Sequence, residues 1–439
     1  MKRVAFCTFG CRLNQYDTET IRTLLEDEGE FRTVPFKDEA DVYVVNTCSV
    51  TARADASARK MIRRIHSERP DSRIVVTGCY AQRAPEELAQ LPGVSLIVGA
   101  ADRGQIAAQI QASRIGAVRM AVSPIEQANK FLEVPVTEMM ERSRAFVKVQ
   151  EGCNEQCSFC IVPQTRGVSR SRDPALVLEQ VAQLLKAGYP EIVLTGVHVG
   201  DYGLDLTGRR ELTALIVAIL EQPGLARLRL SSIEPSTITD ELIEVMAGES
   251  KFARHFHIPF QSGNNAVLKK MRRRYTVEAF DRLVERIGRK LDEFALGTDV
   301  ICGFPGEDDA AFQDTFDCLS RWPITYIHPF TYSVRPGSEA ERLGDPISGE
   351  VKKRRTRALK RLSKERSDAF HEQYVERTVE VLTEVSERRG ETVVSGLTDT
   401  YVRVYIDNCG ENARELTGLR RVRVTAKAAD GVVGALLPA

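Results

Sequence analysis

The 439-residue sequence lacks several features that would place it quickly. It has no charge excess, because Lys+Arg and Asp+Glu each number 61; any preference for a charged partner must therefore be local. It has no apolar run of about 18 residues, so no membrane-spanning helix is expected. Its first residues, "MKRVAFCTFG", show no apolar segment with a cleavage site and do not read as a secretory leader, so a cytoplasmic protein is expected. Internal repeats and low-complexity tracts are missing too. Against that background the 10 cysteines are better explained by metal or redox chemistry than by a disulfide framework.

One further absence is chemical. The stretch "EGCNEQCSFC" places Cys153, Cys157 and Cys160 at C-x3-C-x2-C, with no fourth cysteine nearby and His198 as the next histidine downstream. A structural zinc site closes with four ligands. Three thiolates suit a 4Fe-4S cluster whose fourth iron is left for an exogenous ligand. The competing reading is a zinc knuckle completed by a distant His or Cys.

The rest of the chain supplies context. Up to about residue 120, strand-like "RVAFCTFG", "ADVYVVNTC", "SRIVVTGC" and "VSLIVGA" alternate with helical patterns, which predicts an open, mostly parallel α/β sheet. Cys11 falls just past the first strand, and Cys48 and Cys79 end the next two. Ligands in such sheets gather outside the carboxyl ends of strands, so these three are expected to converge. Buried cysteine is also a common core residue, but core packing gives no reason to choose that edge. Cys7, Cys302, Cys318 and Cys409 have no ligand-like spacing and are expected to pack.

Residues 121–142 are polar, contain Pro124 and Pro135, and read as a linker. From 143 the strand–helix alternation runs about six times, predicting a partial (β/α)6 barrel whose strand C-termini form the active face. Thr195 and Gly196, Ser231, Ser232 and Glu234, Gln261 and Ser262, and Asp299 fall on or near those ends and are candidates for cofactor contacts. Loop capping or core hydrogen bonding would also explain each of them. Arg166 follows the cysteine loop and is expected to contact cosubstrate or substrate, or to pair with a carboxylate. A basic helix "VKKRRTRALKRLSKER" closes this domain near residue 370, and 371–439 reads as a small OB-like antiparallel β-barrel. Local positive charge at "KKMRRRY" (269–275), at Lys352, Lys353, Arg354 and Arg355, and at Arg420, Arg421 and Arg423 favours RNA.

These residues carry a family resemblance. The cysteine loop, with Phe159 before its last Cys, sits in "AFVKVQEGCNEQCSFCIVPQTRG" and is followed by "LTGVHVGDYG", "RLSSIEP", "HIPFQSGNNAVLKKMRRRY" and "GTDVICGFPGE". It resembles the radical S-adenosylmethionine (SAM) superfamily. With "GCRLN", "NTCSV" and "GCYAQ" upstream and a TRAM-like β-domain downstream, the chain resembles the methylthiotransferases over essentially its whole length. The resemblance implies that Cys153, Cys157 and Cys160 bind a radical-generating 4Fe-4S cluster with SAM on its open iron. It implies that Cys11, Cys48 and Cys79 bind an auxiliary 4Fe-4S cluster. Phe159, Thr195, Gly196, Ser232, Glu234, Gln261 and Asp299 become expected cofactor contacts, and the implied partners are a tRNA anticodon stem-loop, an electron donor and a sulfur source.

"CTFGCRLNQYDTE" and "LTGVHVGDYG" resemble the branch that modifies N6-threonylcarbamoyladenosine at tRNA position 37. Arg12 and Leu13 depart from the Lys and Val common there. The alternatives are isopentenyladenosine of tRNA, a ribosomal-protein aspartate, or a non-catalytic RNA-binding protein with structural metal sites.

Overall fold

The computed structural model describes residues 1–140, 143–388, 391–407 and 416–438; Cys409 lies outside them. The N-terminal body is a sheet of six strands, all parallel, in the order Phe31–Thr33, Lys2–Thr8, Val42–Thr47, Arg73–Gly78, Val94–Val98, Arg119–Ala121. Every residue of Val42–Thr47 is buried, as a strand covered on both faces requires. Ala58, Ile62 and Ile65 of helix Ala52–Glu68 pack on one face. Ile21 and Leu25 of helix Arg12–Asp27, with Ile106 and Ile110 of helix Ile106–Ala112, pack on the other.

This strand order has its reversal between Lys2–Thr8 and Val42–Thr47. Such a switch point opens a crevice at the carboxyl ends, because the flanking connections depart to opposite faces. Cys11 leaves the first of those strands, Cys48 the second, and Cys79 the strand beside it.

The chain then crosses to the second body through residues that are not a free linker. Val134, Val136 and Met139 are buried, and Gln180 Nε2 donates to the Val136 carbonyl at 2.7 Å. Six parallel strands follow: Arg144–Lys148, Glu191–Thr195, Arg227–Leu230, His255–His257, Ala295–Cys302 and Tyr326–Thr331. Bridges Leu228–Phe252 and Ser232–His257 join the two halves, while the first and last strands show no pairing among the described residues. This is the expected open six-stranded barrel.

Helix Gly349–Glu372 is capped by Ser348, which accepts from the Val351 amide at 3.3 Å. Its buried residues Lys352, Arg355, Thr356, Leu359 and Leu362 recur at helical spacing. Ser363 fixes it to the last barrel strand, its Oγ accepting from the Ile327 amide at 2.8 Å.

The third body is a closed five-stranded barrel, ordered Thr378–Arg388, Glu391–Leu397, Arg403–Ile406, Gly431–Leu436, Gly418–Ala428. It corrects the purely antiparallel expectation in one respect: Arg403–Ile406 and Gly431–Leu436 run parallel. An odd number of strands cannot alternate direction all the way round a closed ring, so one parallel pair is unavoidable.

The small barrel is docked at the strand starts of the large one. Arg229 donates to the carbonyls of Asp399 and Thr398 at 2.9 and 2.8 Å, and Arg227 to that of Leu397 at 2.9 Å. Tyr401, at φ +67°, stacks on His255 with centroids 4.4 Å apart and accepts a hydrogen bond from Arg12 at 2.9 Å. The strand starts are therefore spent on assembly, which leaves the opposite end for chemistry. Among the described residues no helix is long and apolar enough to cross a membrane.

Candidate active site: two cysteine trios and a cavity beside them

The loop bearing Cys153, Cys157 and Cys160 leaves the first barrel strand and is clamped at its base by a short antiparallel pair, Gln150–Glu151 with Arg170–Ser171. The turn into it requires glycine. Gly152 has φ +73°, and a Cβ there would lie 1.9 Å from the Val168 carbonyl oxygen. Gly152→Ala should therefore displace the loop, with a backbone strain of about 1–3 kcal/mol. Anaerobic reconstitution of that variant should bind about four fewer irons than wild type.

Farther along, the loop is tied to the barrel. Ser158 donates from its amide to the Met271 carbonyl at 3.0 Å and from Oγ to the Lys270 carbonyl at 2.8 Å. Burial pushes the Cys153 and Cys160 thiols up to about 12, so a metal must displace their protons on binding. Burial raises Cys157 as well, opposed by Arg273, whose Nη1 donates to the Cys157 sulfur at 3.1 Å. Arg273 also pairs with Glu234. This removes Arg273 from the phosphate-binding run expected at "KKMRRRY", whose Lys269, Lys270, Arg272 and Arg274 stay exposed. Arg273 is taken inward to the cysteine loop, while Arg272 and Arg274 pair with Glu339 and Glu155. No sequence periodicity singled out Arg273; only the fold brings it to the sulfur.

In the N-terminal body, Cys48 and Cys79 are buried and Cys11 keeps solvent exposure at the start of helix Arg12–Asp27. Gly10 and Gly78 allow the close approach. A Cβ on Gly10 would meet Cys48 Sγ at 2.9 Å, and one on Gly78 would meet the Thr47 carbonyl oxygen at 2.3 Å. Asn14 stitches the loops together, donating to the carbonyls of Phe9 and Thr47 at 2.7 and 3.0 Å.

The spacing of the sulfurs bears on which metal group fits. A single zinc ion, with Zn–S of about 2.3 Å, draws its thiolates to roughly 3.8 Å from one another. Among the described residues, the groups of three whose ligand atoms all lie within 4.8 Å are His257, Asp299, His328 and Glu155, His198, Asp201. Neither cysteine trio is that tight. Each trio is an all-sulfur donor set of three, the set that suits an iron–sulfur group with one iron left open.

One cavity of about 180 Å³ is common to the two regions. Phe159, Cys160, Gln261 and Asp299 wall it from the barrel, and Val50 and Thr51, which directly follow the Cys48 turn, wall it from the sheet domain. Arg335 pins these walls together, donating to the Ser49 carbonyl at 3.3 Å and pairing with buried Asp55 at 3.0 Å. On this cavity Gln261 Oε1 is buried without a hydrogen-bond partner among the described residues, as a site for a polar cosubstrate requires; Ser231 Oγ is likewise unpaired but does not line the cavity.

The other expected contacts are distributed differently. Thr195 and Gly196 end the second strand, and a Cβ on Gly196 would crowd Gln150 at 3.1 Å. Ser232 Oγ is 2.7 Å from His257 Nδ1, and His257 Nε2 is 3.2 Å from Asp299. Burial acts against ionisation of Asp299, but hydrogen bonds from His257 and His328 bring its carboxyl down to about 2.

Two of the expected RNA contacts are corrected. Lys352 and Arg355 are buried, Lys352 pairing with Asp345 and Arg355 with Glu307 at 2.8 Å. They belong to the helix face that packs on the barrel. Lys353, Arg354, Arg420, Arg421 and Arg423 are exposed.

Comparison with known proteins gives the family. Residues 3–99 match the model for Uncharacterized protein family UPF0004, and residues 147–319 match the Radical SAM superfamily. The threonylcarbamoyladenosine tRNA methylthiotransferase MtaB of Bacillus subtilis is 42% identical over 92% of this chain and 90% of its own. The chain belongs to the radical SAM methylthiotransferases. The MtaB protein of Aquifex aeolicus is 38% identical over 84% of this chain and 90% of its own. The tRNA-2-methylthio-N(6)-dimethylallyladenosine synthase of Syntrophotalea carbinolica is 34% identical over 91% and 92%. A solved radical SAM methyltransferase, TsrM of Kitasatospora setae, shares the fold at TM-score 0.56 and 17% identity, over 89% of this methylthiotransferase and 79% of TsrM. Membership in the family implies a 4Fe-4S cluster and SAM as its cofactors.

Proposed function

We propose that this methylthiotransferase converts N6-threonylcarbamoyladenosine at tRNA position 37 to its 2-methylthio derivative, acting in the cytoplasm. The observation that carries the reading is the shared cavity, walled by Cys160 on one side and by the turn after Cys48 on the other. Cys153, Cys157 and Cys160 would hold the radical-generating cluster, and Cys11, Cys48 and Cys79 the auxiliary one. When bound, the two groups supply reductive cleavage of SAM and a sulfur carrier.

The chain supplies the rest. Arg273 places a positive charge on the Cys157 sulfur. Gln261 offers an unpaired polar atom to the cosubstrate, and Phe159 gives the cavity an apolar wall against Phe304. Arg335 keeps the sheet domain against the barrel, which would hold the two sulfur sites at a fixed distance from a target carbon. Exposed Lys353, Arg421 and Arg423 would neutralise tRNA phosphates. The threonylcarbamoyl substituent is favoured by the Bacillus subtilis and Aquifex aeolicus relatives, both named for it.

Tandem mass spectrometry of tRNA nucleosides from a deletion strain tests the substrate. The 2-methylthio-threonylcarbamoyl nucleoside should vanish, its unmodified precursor should accumulate, and the gene restored in trans should reverse both. Loss of the 2-methylthio-isopentenyl nucleoside instead would reassign the substrate to that of the Syntrophotalea relative.

A further inference from the structure

Arg166 lies six residues past Cys160 in the chain, yet its side chain points away from that loop's chemistry. It ends helix Val162–Arg166, which packs against helix Cys79–Arg83, and it is buried. Its guanidinium donates to Asn14 Oδ1 at 2.6 Å, Asp17 Oδ2 at 2.8 Å and Glu151 Oε1 at 2.7 Å. Asn14 is the residue that ties the Cys11 and Cys48 turns together. Asn14 lies in the first turn of the helix that follows Cys11, and the helix against which Val162–Arg166 packs begins at Cys79, so all three cysteine turns border the Arg166 site.

The charges around it do not balance. Asp17 also receives Arg103 at 2.6 Å and Lys148 at 2.8 Å; Glu151 receives Arg103 at 3.1 Å and Lys148 at 3.0 Å. All five side chains are at most 5% exposed. Three cations thus meet two carboxylates, leaving one positive charge over. Arg170, 3.9 Å from Glu151, adds a further cation at the edge of this group. A buried surplus of this kind is costly unless an anion stands beside it. The three cysteines are the neighbouring groups able to provide one. A 4Fe-4S core held by three thiolates is a monoanion when oxidised and a dianion after gaining one electron.

We propose that Arg166 is the counter-charge of the auxiliary cluster, a positioning residue that stabilises its reduced, more anionic state. This rests on the assignment of Cys11, Cys48 and Cys79 to that cluster. It explains why a residue of the "PQTRG" segment turns toward the sheet domain: the charge is needed there, across the domain boundary, rather than at Cys160.

The test uses the full chain with Cys153, Cys157 and Cys160 all replaced by Ala, reconstituted anaerobically and titrated with dithionite as the electron source. Electron paramagnetic resonance follows the reduced form. At the potential where this parent is half reduced, adding Arg166→Gln should lower the reduced-to-oxidised ratio at least tenfold, equivalent to 59 mV for one electron. Arg166→Lys, which keeps the charge, should stay within threefold. Lys148→Met lowers the surplus without touching a cysteine turn, and should also lower the ratio at least threefold; it decides the matter if Arg166→Gln does not retain its irons. An unchanged ratio in both neutralising variants overturns the proposal. So does an equal fall in Arg166→Lys, or an equal fall for the remaining cluster when Cys11, Cys48 and Cys79 are the residues replaced. Fewer than about four irons in the parent would instead sink the cluster assignment, and this proposal with it.

Discussion

Replacing Cys11 with Ala is expected to yield a folded protein that still cleaves SAM to 5′-deoxyadenosine but forms no methylthio nucleoside. The fold should survive because Cys11 makes no side-chain capping bond to helix Arg12–Asp27 and keeps solvent exposure. SAM cleavage should survive because Cys153, Cys157 and Cys160 sit on a separate loop held by Gly152, Ser158 and Arg273. Product should fall by about a thousandfold or more, as for members of a catalytic set that act as a unit. Alanine at Cys157 should abolish both products. Liquid chromatography with mass spectrometry reads the two products in one assay. Equal loss of both from Cys11→Ala would mean that the trios do not work as separate sites.

The second large effect is on assembly. Arg229 is fully buried, pairs with Glu191 at 2.9 Å and holds two carbonyls of the C-terminal barrel. Arg229→Met removes one of the cations facing a carboxylate that is itself only 1% exposed. Breaking a buried pair from one side typically costs about 3–5 kcal/mol, because the remaining charge is left short of partners. The variant should melt at clearly lower temperature and release the C-terminal barrel to limited proteolysis near residue 374, ahead of the rest. Product on full-length tRNA should fall with it, since Arg421 and Arg423 lose their fixed place. An unaltered melting curve would show that docking rests elsewhere, on Tyr401 and on Arg254, whose Nε donates to Asp399 Oδ2 at 2.7 Å.

Much of this was legible in the sequence for a physical reason. Strand periodicity and glycine mark strand ends, and three cysteines fell just past three of them; the switch-point topology then brings them together. The C-x3-C-x2-C loop was legible because its ligands are local. The three-residue edge strands Phe31–Thr33 and Arg119–Ala121 were too short to show a period. The destinations of Arg273 and Arg335 were hidden because each pairs with a residue far away in the chain or in another body, whereas Arg166 takes the carboxylate pairing expected of it, with Glu151 and with Asp17 of the sheet domain. Charge clusters misled in the same way. Lys352 and Arg355 look like their neighbours Lys353 and Arg354, and only the packed face of the helix separates them.

Iron and acid-labile sulfide counted on anaerobically reconstituted protein test the central claim most directly. The wild-type chain should hold about eight irons, and each triple alanine variant, Cys11, Cys48, Cys79 or Cys153, Cys157, Cys160, about four. Mössbauer spectra should show cubane iron in all three. A chain that holds only four irons in total, or that takes up zinc in place of iron at either trio, would contradict the two-cluster account.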